Sequence, residues 1–361
     1  MARRKHCVRV PLRQAEQALR LLRARNLIAK GLRVRRVEGY LLIPLTRSGD
    51  DVVSLLREHL VSAEVCEELF EETVLGKTFK DYLKGNIPEN LLKSIPSSYD
   101  IIGDIAIIQL PEEALKYGDV IAEAIMRVAK NVKSVYAAGP VEGEYRVRKL
   151  IHLGGERRTE TIHKEYGVLI RVDVGKTYYN PSLSEEHRRV ASLVSEGEDV
   201  ADLFCGVGPF TLHIITMRKA RVFAVDINPY AIRCLIESLE LNSRKIKGRA
   251  VPVMGDVRDF LAVVAPASFD RAIMNLPHAA VSFIGEVLSK VRPAGYLHVY
   301  TVARSAGEAR EAVMNAVPEG FKVVILNATR ILDYAPRKFI CRVDVRVGSS
   351  ERFRGIRTHH V

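Results

Sequence analysis

Residues 202–210 read DLFCGVGPF, and this stretch decides the fold of the C-terminal half. The apolar residues around its start predict a buried strand, and Gly206 and Gly208 follow where the chain must turn tightly and let a ligand approach the backbone. A dinucleotide fingerprint would place a third glycine where Thr211 stands, and no Lys-Ser/Thr pair follows the glycines. The loop therefore matches neither that fingerprint nor a P-loop.

Strand-like and helix-like segments alternate from about residue 171 onward. The strand-like segments are DVADLF, RVFAVDI, RAVPVMGD, FDRAIMN and AGYLHVYTV, and two further strands finish the chain. Such alternation predicts a doubly wound, mostly parallel sheet, whose ligands bind at the carboxyl ends of the strands.

Acidic residues stand at the predicted ends of the next two strands. Asp226, about twenty residues after the glycines, can accept hydrogen bonds from both hydroxyls of a ribose, and Asp256 can accept one from an adenine amine. A ligand with adenine and ribose but no pyrophosphate fits, namely S-adenosylmethionine; the alternative is a set of unrelated acidic turn caps. The predicted cofactor-binding residues are Asp202, Phe204, Gly206, Gly208, Asp226, Ile227, Asp256, Val257 and Asn275.

The fourth predicted strand ends on Asn275-Leu276-Pro277. In this fold that position holds the Asn-Pro-Pro-type element of methyltransferases that act on a planar nitrogen. Asn275 can hydrogen-bond the edge of a flat base, while Pro277 fixes the loop and has no N–H to compete. The alternative interpretation is a simple strand stop.

The N-terminal region is basic. Strand, helix, hairpin and helix patterns follow one another up to about residue 70, and they carry a group of arginines: Arg20, Arg23, Arg25, Arg33, Arg35 and Arg36. The whole chain has a net charge of +12 and a pI near 9.5. This charge predicts a polyanionic partner such as nucleic acid, although a heat-adapted protein can carry a generally charged surface.

We predict three domains in an α/β chain. They are a small basic α/β domain over residues 1–72, an α+β domain over 75–170 that contributes to the active site, and a Rossmann-like class I methyltransferase domain over 171–361. In the second range we predict one strand from IIGDIAIIQLP, one helix from EEALKYGDVIAEAIMRVAKN and a strand meander from 143 to 174.

Composition excludes several classes of protein. No apolar run is long enough to span a bilayer and the basic start lacks a signal-peptide core, so we expect a cytoplasmic protein that does not bind a membrane. The five cysteines, with no C-x-x-C among them, suggest neither a disulfide framework nor a zinc site, and we expect no metal. The absence of Trp and the scarcity of Gln lean towards a thermophile.

The chain resembles the archaeal and eukaryotic tRNA (guanine-N1-)-methyltransferases that modify position 37, beside the anticodon. The resemblance covers essentially the whole length. It rests on YDIIGDIAII, EYRVRKLIHLGG, RTETIHKEYG, YYNPSLSEEHRRVA, DLFCGVGPF, AVDINPYAI, GDVR, NLP and the late YAPR at residues 334–337.

The resemblance implies an enzyme that methylates N1 of guanosine from S-adenosylmethionine. It implies contacts with the anticodon loop and outer corner of tRNA, and we expect a monomer. Five catalytic residues carry over one at a time: Arg146, Tyr178, Glu186, Asn275 and Pro277.

The residue types suit this chemistry. Guanine N1 carries a proton, so Glu186 would act as general base, while Arg146 would stabilise the negative charge that develops on O6. Two positions depart from the family: Ser182 and His187 stand where relatives usually have Arg. Because Glu185 adjoins Glu186, the base is one of these two carboxylates, with Glu186 favoured by the match.

Other functions remain open at this stage. A relative could transfer the aminocarboxypropyl group of the same cofactor to a tRNA base, and some archaeal relatives also methylate a tricyclic guanosine derivative. A non-catalytic RNA-binding protein and a membrane-surface protein are alternatives from other classes. The intact set of predicted cofactor-site residues from Asp202 to Pro277 argues against a non-catalytic RNA-binding protein. The lack of a strongly basic amphipathic anchor argues against a membrane-surface protein.

Overall fold

The computed structural model describes residues 2–29, 31–47, 49–58, 61–71, 78–142 and 147–348. The chain divides into two compact units, Met1–Asp81 and Tyr82–Val361. The predicted division of the second unit at residue 170 falls inside a strand, Val168–Asp173, so this unit carries both the second and the third predicted domains.

The first unit is a four-stranded antiparallel sheet with two helices. Its elements are β1 (Ala2–Pro11), α1 (Ala15–Ala24), β2 (Arg35–Val37), β3 (Tyr40–Pro44), α2 (Asp50–Glu58) and β4 (Glu64–Glu71). The sheet has the order β2-β3-β1-β4. Leu22 of α1, Ile43 of β3 and Leu56 of α2 are fully buried in one apolar cluster. The predicted hairpin turns at Glu38 and Gly39, as expected from the sequence.

A disulfide joins Cys7 of β1 to Cys66 of β4, and the expectation that the cysteines form no disulfide is wrong. The two residues stand directly opposite each other in the antiparallel register, with their Cα atoms 4.9 Å apart. They are 59 residues apart in sequence, so no short cysteine motif predicts the disulfide. It becomes visible once β4, which sequence patterning does not identify, is placed beside β1.

The first part of the second unit is a mixed sheet with short helices. The helix α3 (Phe79–Leu83) spans the residue boundary between the two units. The elements that follow it are α4 (Glu89–Ser94), β5 (Asp100–Ile102), β6 (Ile105–Gln109), α5 (Gly118–Val128), β7 (Ser134–Glu142), β8 (Val147–Gly155), β9 (Glu160–Glu165) and β10 (Val168–Asp173). β5 to β8 form one sheet in that order, and β9 pairs with β10. The single strand predicted from IIGDIAIIQLP is wrong, because Gly103 at φ +60 turns it into the β5–β6 hairpin.

The rest of the second unit alternates between strand and helix as predicted. Its elements are α6 (Ser184–Leu193), β11 (Asp199–Leu203), α7 (Pro209–Met217), β12 (Arg221–Asp226), α8 (Pro229–Leu241), β13 (Arg249–Met254), α9 (Val257–Val263), β14 (Phe269–Met274), α10 (Ile284–Leu288), β15 (Val291–Ala303), α11 (Ala306–Asn315), β16 (Val323–Ala335) and β17 (Lys338–Val347). The seven-stranded sheet has the order β13-β12-β11-β14-β15-β17-β16.

The topology of this sheet places the site. β13, β12, β11, β14 and β15 are parallel neighbours, and β17 inserts antiparallel between β15 and β16. The strand order reverses at β11, which is flanked by β12 and β14, and such a switch point opens a crevice at the carboxyl ends of the strands. The predicted mostly parallel, doubly wound sheet is therefore confirmed.

The β9–β10 hairpin belongs to this part of the molecule. Leu169 N–H donates to Asn242 Oδ1 at 3.0 Å, and Arg171 N–H donates to Ser238 Oγ at 2.8 Å. Both acceptors lie at the C-terminal end of α8. The hairpin thus packs on the methyltransferase domain, although the predicted boundary at residue 170 assigns most of it to the middle domain.

Candidate active site

A cavity of about 430 Å³ opens at the carboxyl ends of β11 to β14. It lies at the switch point of the sheet, where α/β proteins bind their ligands. Its walls come from the loops after these four strands, from the segment before α6 and from the β16–β17 hairpin. This arrangement brings together residues that are distant in sequence, from Tyr178 to Ile340.

The glycine loop after β11 forms one wall. Gly206 has φ +55, and a Cβ built on it would meet nothing closer than Tyr178 O at 3.7 Å, so the space beside its backbone is open to a ligand. Gly208 has φ +77 and serves packing instead, because a Cβ there would lie 2.4 Å from Leu235 Cδ1. Phe204 lines the cavity from an unusual left-handed backbone position, φ +67. Gly206 and Phe204 stand where the sequence placed them, whereas Gly208 does not line the cavity.

Asp226 follows β12 and lines the cavity beside Ile227. Its Oδ2 accepts a hydrogen bond from Gly206 N at 2.7 Å, and its Oδ1 accepts one from Asn228 N at 2.9 Å. Burial raises the pKa of Asp226 above its ordinary value, against these backbone hydrogen bonds. A carboxylate can accept about four hydrogen bonds, so Asp226 keeps capacity for ribose hydroxyls while it also holds the glycine loop.

Asp256 and Val257 line the cavity after β13. The Asp256 carboxylate caps α9, because its Oδ1 accepts a hydrogen bond from Arg258 N at 2.6 Å. Val257 is buried and offers an apolar contact for a flat ring. Asp256 is therefore both a helix cap and a cavity residue, two roles that the sequence presents as alternatives.

The loop after β14 carries Asn275, Leu276 and Pro277, and all three line the cavity. Val302 N of β15 donates a 2.9 Å hydrogen bond to Pro277 O, and Leu276 O accepts from Ala279 N at 2.9 Å. The loop is thus held from both sides, and Asn275 presents its side chain on a fixed backbone.

Tyr178 lines the cavity from the segment before α6. The residue is 41% exposed, and the guanidinium of Arg148 lies 5.7 Å from the centroid of its ring. An exposed aromatic face beside a cation at a cavity mouth suits a flat, electron-rich ring.

Asp202 does not line the cavity. It is fully buried, and its Oδ2 accepts hydrogen bonds from Thr211 N at 3.2 Å and Thr211 Oγ1 at 2.6 Å. Its Oδ1 is buried with no hydrogen-bond partner among the described residues. Burial raises the pKa of Asp202 to about 7, against the hydrogen bonds from Thr211. Asp202 thus ties β11 to the first turn of α7 and fixes the base of the glycine loop.

We expect the stability of the ligand-free protein to report this raised pKa. Between pH 4 and pH 7 the native state retains on Asp202 a proton that the unfolded chain has lost. The contribution of the protonated Asp202 to the free energy of unfolding is complete below pH 4 and is lost as the pH rises through 7. Denaturant unfolding from pH 4 to pH 8 should therefore show Asp202→Asn gaining stability relative to the wild type as the pH rises. A constant difference between the two proteins over this range would contradict the assignment.

Glu186 lies in the first turn of α6 but does not line the cavity. It is 7% exposed, and its Oε1 accepts a hydrogen bond from Arg342 Nη1 at 2.5 Å. Its Oε2 accepts from Tyr300 Oη at 3.0 Å and from Arg189 Nε at 3.1 Å. The neighbouring Glu185 is exposed. Arg146, the remaining predicted catalytic residue, lies outside the described residues.

Five titratable residues of the cavity wall lie outside the predicted site residues: Tyr179, His187, Cys205, His278 and Tyr334. His187 Nδ1 lies 2.9 Å from Glu165 Oε2, and His213 Nε2 lies 3.0 Å from the same oxygen. Burial lowers the pKa of His187, which favours a neutral ring that donates to Glu165. The signal in the sequence was the substitution of His187 for the usual Arg, one residue after Glu186.

A cofactor with adenine, ribose and an amino-acid tail fits these residues. Asp226 and Asp256 supply acceptors at two neighbouring strand ends, Ile227 and Val257 supply apolar faces, and Gly206 leaves its backbone approachable. The described residues contain no group of three or more His, Cys, Asp or Glu that could hold a metal ion. No helix in the described part of the chain has the length and apolarity needed to cross a membrane.

The fold and the site together define a class I, S-adenosylmethionine-type methyltransferase domain. Family models match along most of the chain: the tRNA methyltransferase 5 N-terminal domain over residues 7–53, the TYW2 N-terminal domain over 79–159 and the TRM5/TYW2 methyltransferase domain over 161–325. The chain is similar to the tRNA (guanine(37)-N(1))-methyltransferase Trm5b of Pyrococcus abyssi, with 37% identity over 94% of this chain and 98% of the relative. The chain belongs to the TRM5/TYW2 methyltransferase family.

Two further similarities mark the range of the family. The solved complex of aTrm5 with tRNALeu matches 95% of this chain and 99% of the solved chain, with 32% identity and a TM-score of 0.67. The tRNA(Phe) (4-demethylwyosine(37)-C(7)) aminocarboxypropyltransferase of Pyrococcus horikoshii is 30% identical over 75% of this chain and 96% of its own length. The first similarity reaches nearly the full length of this chain, and the second covers three quarters of it.

Proposed function

We propose that this protein transfers a methyl group from S-adenosylmethionine to N1 of guanosine at position 37 of tRNA. The observation that carries the proposal is the fixed Asn275–Pro277 loop in the wall of the cavity, next to the strand ends suited to adenosine. Near-full-length similarity to guanine-N1-methyltransferases supports the choice of base and position. The net charge of +12 supports a nucleic-acid partner.

The chain's residues take the following roles. Asp226 holds the ribose, Asp256 the adenine amine, and Gly206 lets the cofactor approach the backbone. S-adenosylmethionine supplies an electrophilic methyl group on its sulfur. Asn275 hydrogen-bonds the edge of the guanine, and Pro277 fixes the loop that carries it. The guanine has to be flipped out of the anticodon loop to reach the cavity.

Proton removal from N1 falls to Glu186. In the present arrangement its carboxylate is held by Arg342 and Tyr300, so this role requires the side chain to leave these partners when the base arrives. Leu183 and His187, three residues before and one residue after Glu186, line the cavity, which supports a position for Glu186 close to the base. Arg146 stabilises the negative charge on O6 as the proton leaves.

The test is nucleoside mass spectrometry of tRNA incubated with the pure protein and S-adenosylmethionine. A gain of one methyl on guanosine is the expected product, and it should be absent when the tRNA carries another nucleoside at position 37. A heavier aminocarboxypropyl group would identify the second candidate, which the similarity to the Pyrococcus horikoshii enzyme favours. No modified nucleoside, together with tight tRNA binding, would favour a non-catalytic RNA-binding protein.

The first unit should bind tRNA phosphates without taking part in chemistry. Arg25, Arg33 and Arg36 are exposed there. Replacing all three with Ala should reduce the slope of log affinity against log salt by about 0.7 to 0.9 for each phosphate that is no longer neutralised. Affinity for S-adenosylmethionine should not change. Arg310→Ala, at an exposed arginine of α11, is the control, and an unaltered slope in the triple variant would remove this role from the first unit.

A further inference from the structure

The YAPR segment at residues 334–337 forms the tip of the β16–β17 hairpin. Asp333 pairs with Phe339 and Ala335 pairs with Lys338, and the register shifts between these pairs, so Tyr334 is the extra residue of a β-bulge. A bulge bends its strand and re-aims the side chain that it carries. As a result the ring of Tyr334 lines the cavity, although β16 is the outermost strand of the sheet.

His278 fixes the orientation of this ring. Its Nε2 lies 2.9 Å from Tyr334 Oη, and the two ring centroids are 5.0 Å apart in an edge-on arrangement of 68°. His278 directly follows Pro277, whose carbonyl is bound by Val302 N. The contact between His278 and Tyr334 therefore links the hairpin tip to the Asn275–Pro277 loop. Tyr334 nevertheless stays 47% exposed, so an aromatic face is still available to a ligand.

We propose that Tyr334 is a base-stacking residue, whose ring packs against the flipped-out guanine at position 37, with His278 as its positioning residue. This inference rests on the proposed function. A base that leaves the anticodon stack loses its stacking neighbours, and aromatic side chains replace them in RNA-binding sites. Tyr334 is suited to this role because its hydrogen-bond partner, His278, follows the Asn275–Pro277 loop, and Asn275 is the residue that would hydrogen-bond the edge of the base.

The experiment compares two tRNAs, one with guanosine 37 and one with an abasic ribose at that position. Binding to the full-length protein is measured in the presence of S-adenosylhomocysteine, which prevents turnover. Tyr334→Ala should weaken binding of the guanosine tRNA by about 5- to 160-fold, the range for losing one stacked base. It should leave binding of the abasic tRNA unchanged. Tyr334→Phe keeps the ring and should retain most of the affinity.

Leu326→Ala is the matched control. Leu326 is also exposed, at 52%, and also sits on β16 at a register shift, between Ile325 and Asn327, but it does not line the cavity. Its replacement should affect neither tRNA.

Three results would overturn the inference. An equal loss for both tRNAs would show that Tyr334 acts on the RNA backbone or on the fold, and weaker binding of S-adenosylmethionine without tRNA would make it a cofactor contact. Failure of the wild type to methylate guanosine 37 would instead reject the proposed function. Normal methylation with unchanged binding by Tyr334→Ala would reject the stacking role alone.

Discussion

Glu186→Gln is expected to lower the single-turnover rate of methyl transfer by about 10² to 10⁴, the range for losing a general base. Gln keeps the shape and most of the hydrogen bonds but cannot take the proton from N1. Affinities for tRNA and cofactor should remain within a few-fold of the wild type. Arg146→Ala should also slow the reaction, and the double variant should lose less than the product of the two single effects, because both residues act on one proton departure.

Glu185→Gln is the matched control for this prediction. Glu185 is exposed beside the buried Glu186, so its replacement should leave the rate unchanged. If Glu185→Gln abolished turnover while Glu186→Gln retained it, the base would be the neighbouring carboxylate.

A second control separates chemistry from folding. Glu186 and Arg342 form a buried ion pair. Arg342→Met removes the arginine of this pair and keeps the Glu186 carboxylate. Removing one partner of a buried pair costs about 3–5 kcal/mol of stability, so both variants should unfold more easily. At a temperature where both are folded, only Glu186→Gln should lose the chemical step. An equal rate loss in Arg342→Met would make the role of Glu186 structural.

Several of the predicted cofactor-binding residues line the cavity, because the sequence features that predict them are local. A glycine loop, a carboxylate at the end of the next strand and a further carboxylate after the third strand can be counted along the chain. Strand periodicity then brings these ends to one edge of the sheet. Phe204, Asp226, Asp256 and Asn275 line the cavity for this reason.

Features that depend on pairing between distant segments escape the sequence. Cys7 lies opposite Cys66 because of the β1–β4 register. Tyr334 lines the cavity because of a bulge in β16, the outermost strand of the seven-stranded sheet. Glu186 is a third case. The family resemblance points to Glu186, but its burial against Arg342 depends on β17, which places that arginine 156 residues further along the chain.

Asp226→Ala is expected to weaken S-adenosylmethionine binding by about 1.5–3 kcal/mol, the order for hydrogen bonds to a charged group. The carboxylate lines the cavity at the end of β12, where a ribose would lie. Calorimetric titration measures the change directly, and unaltered affinity would reject the assignment. Asp256→Ala should act independently, because its carboxylate lies at the end of a different strand.

Asp226 also accepts a hydrogen bond from Gly206 N, so its loss has a second route to weaker binding through the glycine loop. A ligand series separates the two routes. If Asp226 holds the ribose, S-adenosylhomocysteine should bind Asp226→Ala more weakly than the wild type, whereas an analogue without the 2′ and 3′ hydroxyls should bind both proteins alike. If the loss acts through the loop, both ligands should weaken together, because the loop contacts do not depend on the hydroxyls. Asp226→Asn keeps an acceptor for Gly206 N, and it should therefore recover binding of the dideoxy analogue if the loop route operates.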